Sequence, residues 1–342
     1  MSGTTENDTR KGVSMRELGR RLGVSAVTVS KALGGKPGVS DAMREKITAL
    51  AQELDYRYEL SSRTCKDVGI LIPGHFFGQG NSFYASLSEK LVQHLSRQNA
   101  YGILSLLSEA EEADCRLPAI VFGSNIRGLV VLGQVSGAYM RMLAEAELNM
   151  PYVCMDFYDE RSGADSVVSD GLYGSYCLTS HLIHGGHRRI GFLGSIHATS
   201  SIMDRYLGYY KTMLQHDLPM DPSWVVPDRD EHGEYHAFPL PDPLPTAFVC
   251  NCDQMAMRLK NRLEGMGLRV PEDVSLVGFD DYTHSASVSP VLTTFAVDQD
   301  SLAFETARVI TEKMHGVPGG KGRVVTGGRI VYRSSVQKPG KR

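Results

Sequence analysis

With 342 residues, 42% of them hydrophobic and 22% charged, and a formal net charge of −3, the chain has the composition of an ordinary soluble protein of two or three domains. Its six cysteines, Cys65, Cys115, Cys154, Cys177, Cys250 and Cys252, are scattered, most within apolar strand-like runs, which excludes a disulfide framework and suits reduced core thiols. Met1 to Lys11 is polar and no later stretch is long enough to span a bilayer, so a cytoplasmic protein without a membrane partner is expected.

Residues 1–11 read as a disordered tail. Ser14-Met15-Arg16-Glu17 has the form of a capping box, in which Ser14 and Glu17 satisfy each other's backbone N–H groups, and a helix is expected to start there. Leu18 and Leu22 share one of its faces, and Gly23 supplies the backbone freedom for a sharp turn. In the second helix Val29 and Leu33 face inward, leaving Ala26, Val27 and Lys31 outward. Ser40 caps a third helix, whose Met43, Ile47, Leu50 and Leu54 close a small core. The three helices read as a helix-turn-helix over residues 12–57, which makes DNA the first partner to consider. Charge agrees: residues 1–66 hold 12 Lys/Arg against 8 Asp/Glu, while the remainder holds 24 against 31. A basic head on an acidic body suits a module that faces phosphates. A core of roughly 40 residues is marginal, so this module is expected to lean on DNA or a partner copy for full order.

From Val68 onward short apolar runs alternate with helical stretches. The first series is Val68 to Ile72, Gly102 to Leu104, Gly128 to Leu132 and Tyr152 to Met155; the second is Arg189 to Leu193, Thr246 to Cys250 and Ser275 to Phe279. Continuous apolar strands interleaved with helices imply parallel sheets covered on both faces. The fold class expected is therefore an all-α head followed by two doubly wound α/β lobes. The break near residues 156–165 places an N-lobe at about 67–158 plus 296–318 and a C-lobe at about 162–292 plus 322–336, within a ligand-binding unit of 67–342.

In such sheets ligands bind beyond the carboxyl ends of the strands, here most plausibly in the cleft between lobes. Asp156 and Asp280 each stand where a strand opens into a loop, and Arg205 begins a helix after the loop Ser195 to Ser201. Two carboxylates, an arginine and Phe157 make a kit for a small polar or polyhydroxylated ligand. The alternative is that Asp280 and Asp281 cap a helix and Arg205 pairs with a surface acid. Asp253, directly before Gln254-Met255-Ala256-Met257, reads as a helix-start residue.

Catalytic signatures are missing: there is no Gly-x-Gly-x-x-Gly after a strand, no Gly-Lys-Ser/Thr, no Gly-x-Ser-x-Gly and no His-Glu-x-x-His. His181, His184 and His187 are interrupted by Gly185-Gly186 at a helix end, where imidazoles more often meet terminal carbonyls than a metal. Cys250 and Cys252 lack a partnering pair at zinc spacing. No enzyme activity, cofactor or metal is expected.

Val24-Ser25-x-x-Thr28-Val29-Ser30-Lys31-x-Leu33-x-Gly35 resembles the recognition helix of the LacI/GalR family of transcription regulators, and Val39-Ser40 through Glu53-Leu54-Asp55-Tyr56-Arg57 resembles its third helix and exit. Asn81-Ser82-Phe83-Tyr84, the run from His181 to Phe192, the run from Gly267 to Asp281 and Leu292-Thr293-Thr294 extend the resemblance along nearly the full length. The resemblance implies a homodimer whose paired heads bind a pseudo-palindromic operator. It further implies a periplasmic-binding-protein-like body that senses a carbohydrate or related metabolite, with repression as the usual outcome. Ala26 and Val27 carry over as the base-reading pair, able to touch thymine methyls but not to make bidentate hydrogen bonds. Lys31 carries over to guanine or phosphate, Ser25, Thr28 and Ser30 to phosphates. The effector positions carry over as Asp156, Arg205 and Asp280, with Phe83 and Phe157 as walls.

The chain also departs from the family. Its exit and hinge, Arg57 and residues 58–66, replace the usual Arg-Pro-Asn and hinge helix, and Cys65 falls where a leucine wedges into the minor groove, so weaker operator kinking is expected. Cys252 replaces a pocket asparagine and Val297 falls near a usual glutamine, which predicts a less polar or larger effector than a simple monosaccharide. Pro239 to Pro245 replaces part of a helix, because proline at that density cannot continue one. Two other classes fit parts of the chain: a solute-binding protein with a vestigial head, which would need a secretion signal, and a sugar-processing enzyme using Asp156 and Asp280.

Overall fold

A computed structural model describes residues 14–33, 38–54, 67–77, 82–122, 125–146, 148–230, 235, 238–281, 291–317 and 322–340. It divides into two compact units, Met1–Thr64 and Cys65–Arg342.

The first unit is three helices, α1 (Met15–Leu22), α2 (Ala26–Leu33) and α3 (Asp41–Glu53). The Ser14 hydroxyl accepts the Glu17 amide at 3.3 Å, but the Glu17 carboxylate turns outward to Arg20 and Arg21, at 2.7 and 3.2 Å. The capping box is thus half formed, because two guanidiniums one turn on compete for its carboxylate. Gly23 ends α1 in the left-handed region at φ +66°, its N–H donating to the Gly19 carbonyl, and this reverses the chain into α2. Leu18, Val29, Ala32, Ile47 and Ala51 form the core, with Leu22, Leu33, Met43, Leu50 and Leu54 packed around it.

The second unit holds two six-stranded sheets. In chain order its elements are β1 (Asp67–Pro73), α4 (Ser82–Arg97), β2 (Gly102–Leu107), α5 (Glu109–Ala113), β3 (Ile126–Leu132), α6 (Gly137–Glu145), β4 (Tyr152–Met155), β5 (Asp165–Ser169) and α7 (Gly171–His184). There follow β6 (Ile190–Leu193), α8 (Ser200–Gln215), β7 (Val225–Val226), β8 (Ala247–Cys250), α9 (Asp253–Gly265), β9 (Ser275–Phe279), β10 (Thr293–Val297), α10 (Gln299–Met314), β11 (Arg323–Thr326) and β12 (Gly328–Val331). The N-lobe sheet is ordered β2-β1-β3-β4-β5-β11, all parallel. The C-lobe sheet is ordered β7-β6-β8-β9-β10-β12, with only β12 antiparallel.

Both sheets are covered on two faces, as continuous apolar strands require. In the N-lobe α4 and α10 pack on one face, while Tyr139, Met140 and Leu143 of α6 join Leu71, Leu129 and Val131 on the other. In the C-lobe α7 and α8 supply Leu178, Leu182, Tyr209 and Met213 to one face, and Met255, Leu259 and Leu263 of α9 cover the other. Residues 238–246 form no helix, and Phe238, Leu240 and Leu244 pack beside α9 in extended form.

The lobe boundaries differ from the sequence expectation. Asp165–Ser169 pairs with β4 in the N-lobe sheet, so the chain first crosses at Asp170, and Arg323–Thr326 returns to the N-lobe before β12 joins the C-lobe. The apolar pattern marks these segments as strands without saying which sheet receives them. The three crossings lie side by side: the Asp170 amide donates to the Thr326 carbonyl at 2.9 Å and the Asp298 amide to the Gly327 carbonyl at 3.3 Å. Such a triple connection lets two lobes hinge without separating.

Candidate functional site

At the carboxyl ends of the strands, four side chains form a buried polar group. Asp156 follows β4 with φ +67°, and Asp280 follows β9 with φ +99°, conformations that a short side chain able to bond locally tolerates best. Arg205, in the second turn of α8, donates from Nη2 to Asp280 Oδ1 at 3.1 Å and from Nη1 to the Asn251 carbonyl at 2.6 Å. Its guanidinium lies 4.0 Å from the centroid of Phe279. On the N-lobe side the Tyr84 hydroxyl donates to Asp156 Oδ2 at 2.9 Å. Asp156 Oδ1, Arg205 Nε and Asn251 Oδ1 are buried with no hydrogen-bond partner among the described residues.

Burial pushes the Asp156 carboxyl up to about 6, with Asp280 reinforcing the shift and Arg205 opposing it. Burial likewise raises Asp280 against the pull of Arg205. Arg205 is desolvated too, yet Asp280 and Asp156 hold its charge more firmly than usual. One cation therefore faces two carboxylates in a low-dielectric pocket. The folded Asp156 binds its proton more tightly than the ordinary 3.8, so stability falls as pH rises from about 4 to 6, by roughly 3 kcal/mol. Asp156→Asn keeps an acceptor for Tyr84 and removes this penalty. Urea unfolding at pH 8 should show the variant more stable than the parent, the advantage disappearing toward pH 4.

Beside this group the lobes meet through the start of α8. The Ser200 amide donates to Gln134 Oε1 at 2.7 Å, the Ser201 hydroxyl to the Asp156 carbonyl at 2.7 Å, and the Tyr158 hydroxyl to Asp204 Oδ1 at 2.9 Å. An opening of about 1100 Å³ adjoins these contacts, lined by His75, Gln134, Ser195, His197, Thr199 and Arg229 among others. A second, of about 780 Å³, is lined by Phe83, Lys90, Asp280, Asp281, Val297 and Gly327 among others. Behind the site buried Asp228 accepts from the Ser195 amide, Asn251 Nδ2 and Arg229 at 2.8, 2.8 and 3.0 Å.

Asp156, Arg205 and Asp280 thus come together, and Tyr84, Gln134 and Asn251 join them without having been singled out from sequence. Asn251 and Gln134 stand just beyond β8 and β3, so the strand-end rule applied to every strand finds them; Tyr84 lies in α4 and meets Asp156 only through the fold. Phe157 is no wall: it is 1% exposed and packs with Leu71, Val131 and Tyr139 in the N-lobe core. The positive φ at Asp156 breaks strand alternation and sends the next side chain inward. Phe83 is buried against the core that holds Ile72 and Leu87, and also borders the smaller opening. Cys252 caps the start of α9 without a side-chain bond to it, and burial, with Asp280 adding, pushes its thiol up to about 12. Asp253 opens α9 and accepts the Thr294 hydroxyl at 2.6 Å. His187 bridges Thr246 Oγ1 and the Gln337 carbonyl at 2.9 and 3.0 Å rather than the helix end, whose Ile183 carbonyl is met by Arg188. The five described cysteines are free, and no metal-binding cluster and no helix long and apolar enough to cross a membrane occur among the described residues.

In the head, Ser25 precedes α2 and its hydroxyl accepts the Thr28 amide at 3.1 Å. Val27 is 64% exposed, and Lys31 is exposed on the same helix. Ala26, Thr28 and Ser30 are half-buried. Arg44 of α3 donates to the Ala32 carbonyl at 2.6 Å and closes the far end of α2. Arg57, Cys65 and the hinge at 58–66 lie outside the described residues.

Residues 14–58 match the model of bacterial regulatory proteins of the lacI family, and residues 179–336 match that of periplasmic binding protein-like domains. The chain therefore carries a lacI-family DNA-binding domain and a periplasmic-binding-protein-like domain. Among curated relatives, the ribose operon repressor of Haemophilus influenzae is 27% identical over 312 residues, 86% of this chain and 90% of its own. The HTH-type transcriptional repressor PurR of Vibrio vulnificus is 24% identical over 95% of this chain and 99% of its own. Among solved structures, the lac repressor dimer bound to operator and an anti-inducer superimposes with a TM-score of 0.69 at 21% identity, covering 96% of this chain and all of the other. The regulator CelR in complex with cellobiose gives 0.67 at 23%, covering 94% and 99%. A helical head and a two-lobed body thus recur together in these folds.

Proposed function

We propose that this chain is a sequence-specific DNA-binding regulator, a repressor, whose operator affinity is set by a small metabolite held between the lobes, and that it acts by binding rather than by catalysis. The observation that carries this reading is the buried set of Tyr84, Asp156, Arg205 and Asp280 at the strand ends, on a chain whose head exposes Val27 and Lys31 on its second helix. Three buried polar atoms without partners among the described residues, Asp156 Oδ1, Arg205 Nε and Asn251 Oδ1, are what a ligand with mixed donors and acceptors would satisfy. Cys252 and Val297 leave apolar surface beside them, which favours an effector larger or less polar than a simple monosaccharide. The effector acts by binding one lobe arrangement better than another, since equal affinity shifts nothing.

The working unit proposed is a cytoplasmic homodimer. Its N-lobe face is assigned to the edge strand β2, where Ile103, Leu104 and Leu106 are exposed with Tyr101 just before the strand. A long apolar edge left open invites aggregation, and a two-fold partner removes that liability.

An electrophoretic shift with DNA from upstream of the gene tests the reading. Salt-sensitive, sequence-preferring binding is expected, and its absence at low salt would sink the proposal. Val27→Asn adds a donor and an acceptor where only methyl contact was possible, and should change the preferred base at one operator position by about 1–3 kcal/mol while leaving effector affinity unchanged.

A further inference from the structure

The outer faces of α7 and α8 do not look like faces meant for water. On α8 the positions Leu207, Tyr210, Lys211 and Leu214 repeat at three- and four-residue steps, and Leu207, Tyr210 and Leu214 are 41, 37 and 51% exposed. On α7 the matching stripe is Tyr173, Tyr176, Cys177, Ser180 and His184, with Tyr173 54% exposed. A surface helix ordinarily turns charges outward at these positions. Here α7 contains no Asp, Glu, Lys or Arg in fourteen residues. Of the charged residues of α8, Arg205 is buried in the effector site and Asp204, at the start of the stripe, is taken up by the Tyr158 hydroxyl at 2.9 Å and by Arg323 at 3.6 Å, which leaves Lys211 unmatched by a carboxylate of its own helix.

The two stripes form one surface. α7 and α8 pack side by side, so closely that a Cβ on Gly208 would come within 2.1 Å of the Leu172 carbonyl oxygen. Lys211 lies 5.6 Å from the ring centroid of Tyr176, across the seam between the helices. The rings of Tyr173 and Tyr176 stack at 6.4 Å, and those of Tyr206 and Tyr210 lie 5.9 Å apart. Tyrosines with leucine between them, and almost no charge, are the composition of an interface centre.

We propose that this α7–α8 face is a self-association surface, on which the same face of a second copy packs about a two-fold axis. Charge complementarity selects that occupant. A face whose one carboxylate, Asp204, is already paired and whose remaining charge is Lys211 gives a charged partner little to pair with and leaves its charges desolvated, whereas an equally neutral copy has few to bury. Two-fold pairing also matches helices with helices of the same length, 14 and 16 residues, or about 21 and 24 Å. Two such helices side by side, each ~10 Å across, offer a face of about 500 Å², the larger part of the ~800 Å² per partner that stable interfaces bury. Since α7 and α8 belong to the C-lobe and β2 is the far edge of the N-lobe sheet, this surface is separate from the dimer face proposed above. It rests on that reading only in its product: with both faces engaged the protein is a dimer of dimers carrying two pairs of heads.

Analytical ultracentrifugation of the full chain at micromolar concentration tests it, with Tyr210→Glu/Leu214→Glu for this face and Leu104→Glu/Leu106→Glu for the β2 edge. Tetrameric parent protein, reduced to dimers by either pair of substitutions, is the expected result. Loss of mass with the α7–α8 substitutions alone supports this face and overturns the β2 assignment. A parent dimer that the β2 substitutions dissociate and the α7–α8 substitutions leave intact overturns this proposal and keeps the functional reading, as does a parent monomer for this face. Thermal unfolding of each variant guards against misfolding; Tyr210→Arg/Leu214→Arg provides a second pair of the opposite charge, expected to give the same dimer.

Discussion

Arg205→Ala is expected to abolish the response to effector and to destabilise the two-lobed unit by about 3–5 kcal/mol, the usual consequence of leaving a buried charge without its partner. Three contacts are lost at once: the bond to Asp280, the bond to the Asn251 carbonyl and the stacking on Phe279. What remains is worse than a cavity. Asp280 and Asp156, both already raised by burial, would face each other without the cation that opposes it. Their carboxyls should then rise further, since the cation that opposes burial is gone. The sign follows from linkage: a carboxyl with a raised folded pKa stabilises the fold at low pH and loses that contribution as pH rises. The deficit of Arg205→Ala in urea unfolding should therefore be large at pH 8 and smaller at pH 5. Arg205→Lys separates charge from shape, because an ammonium can face Asp280 but cannot reproduce the planar fork that also reaches Asn251. It should recover part of the stability at pH 8 and little of the effector response. Equal deficits at pH 5 and pH 8 would show that packing, not charge, is what Arg205 supplies.

Much of this was legible in the residues, for physical reasons that also explain what was not. Strands such as Gly128 to Leu132 announce themselves because both faces of a parallel sheet are covered and no position can be polar. The residues at their carboxyl ends are then found by rule, which is how Asp156 and Asp280 were reached. Two kinds of information are absent from such a pattern. One is partner choice: Asp165–Ser169 and Arg323–Thr326 pair with each other across more than 150 residues, and nothing local to either says so. The other is orientation after a break in alternation, which misplaced Phe157, since a single positive φ at Asp156 reverses the side to which the next side chain points. Tyr84 was missed for the first reason; its hydroxyl meets a carboxylate 72 positions away.

The head should be the more fragile unit, and Leu18→Ala is the change that exposes this. Leu18 is fully buried in a core that, among the described residues, has five buried apolar side chains, itself with Val29, Ala32, Ile47 and Ala51. Truncating a buried leucine costs about 2–5 kcal/mol, the higher end where neighbours cannot collapse into the space. A domain of roughly 40 residues has little more than that in total. Ala32 and Ala51 are too small to fill the void, and Gly19 leaves no room for α1 to shift, because even a Cβ there would lie 2.5 Å from the Val24 carbonyl oxygen. Loss of order in the head, and with it loss of operator binding, is the expected result in an electrophoretic shift at 25 °C. The effector-induced rise in melting temperature belongs to the two-lobed unit and should be preserved. Saturating operator stabilises only the ordered head, by RT ln(1 + [DNA]/Kd), so lowering temperature and raising DNA concentration should restore part of the binding. If the variant binds operator as tightly as the parent, the head has reserves of stability that five buried side chains do not account for.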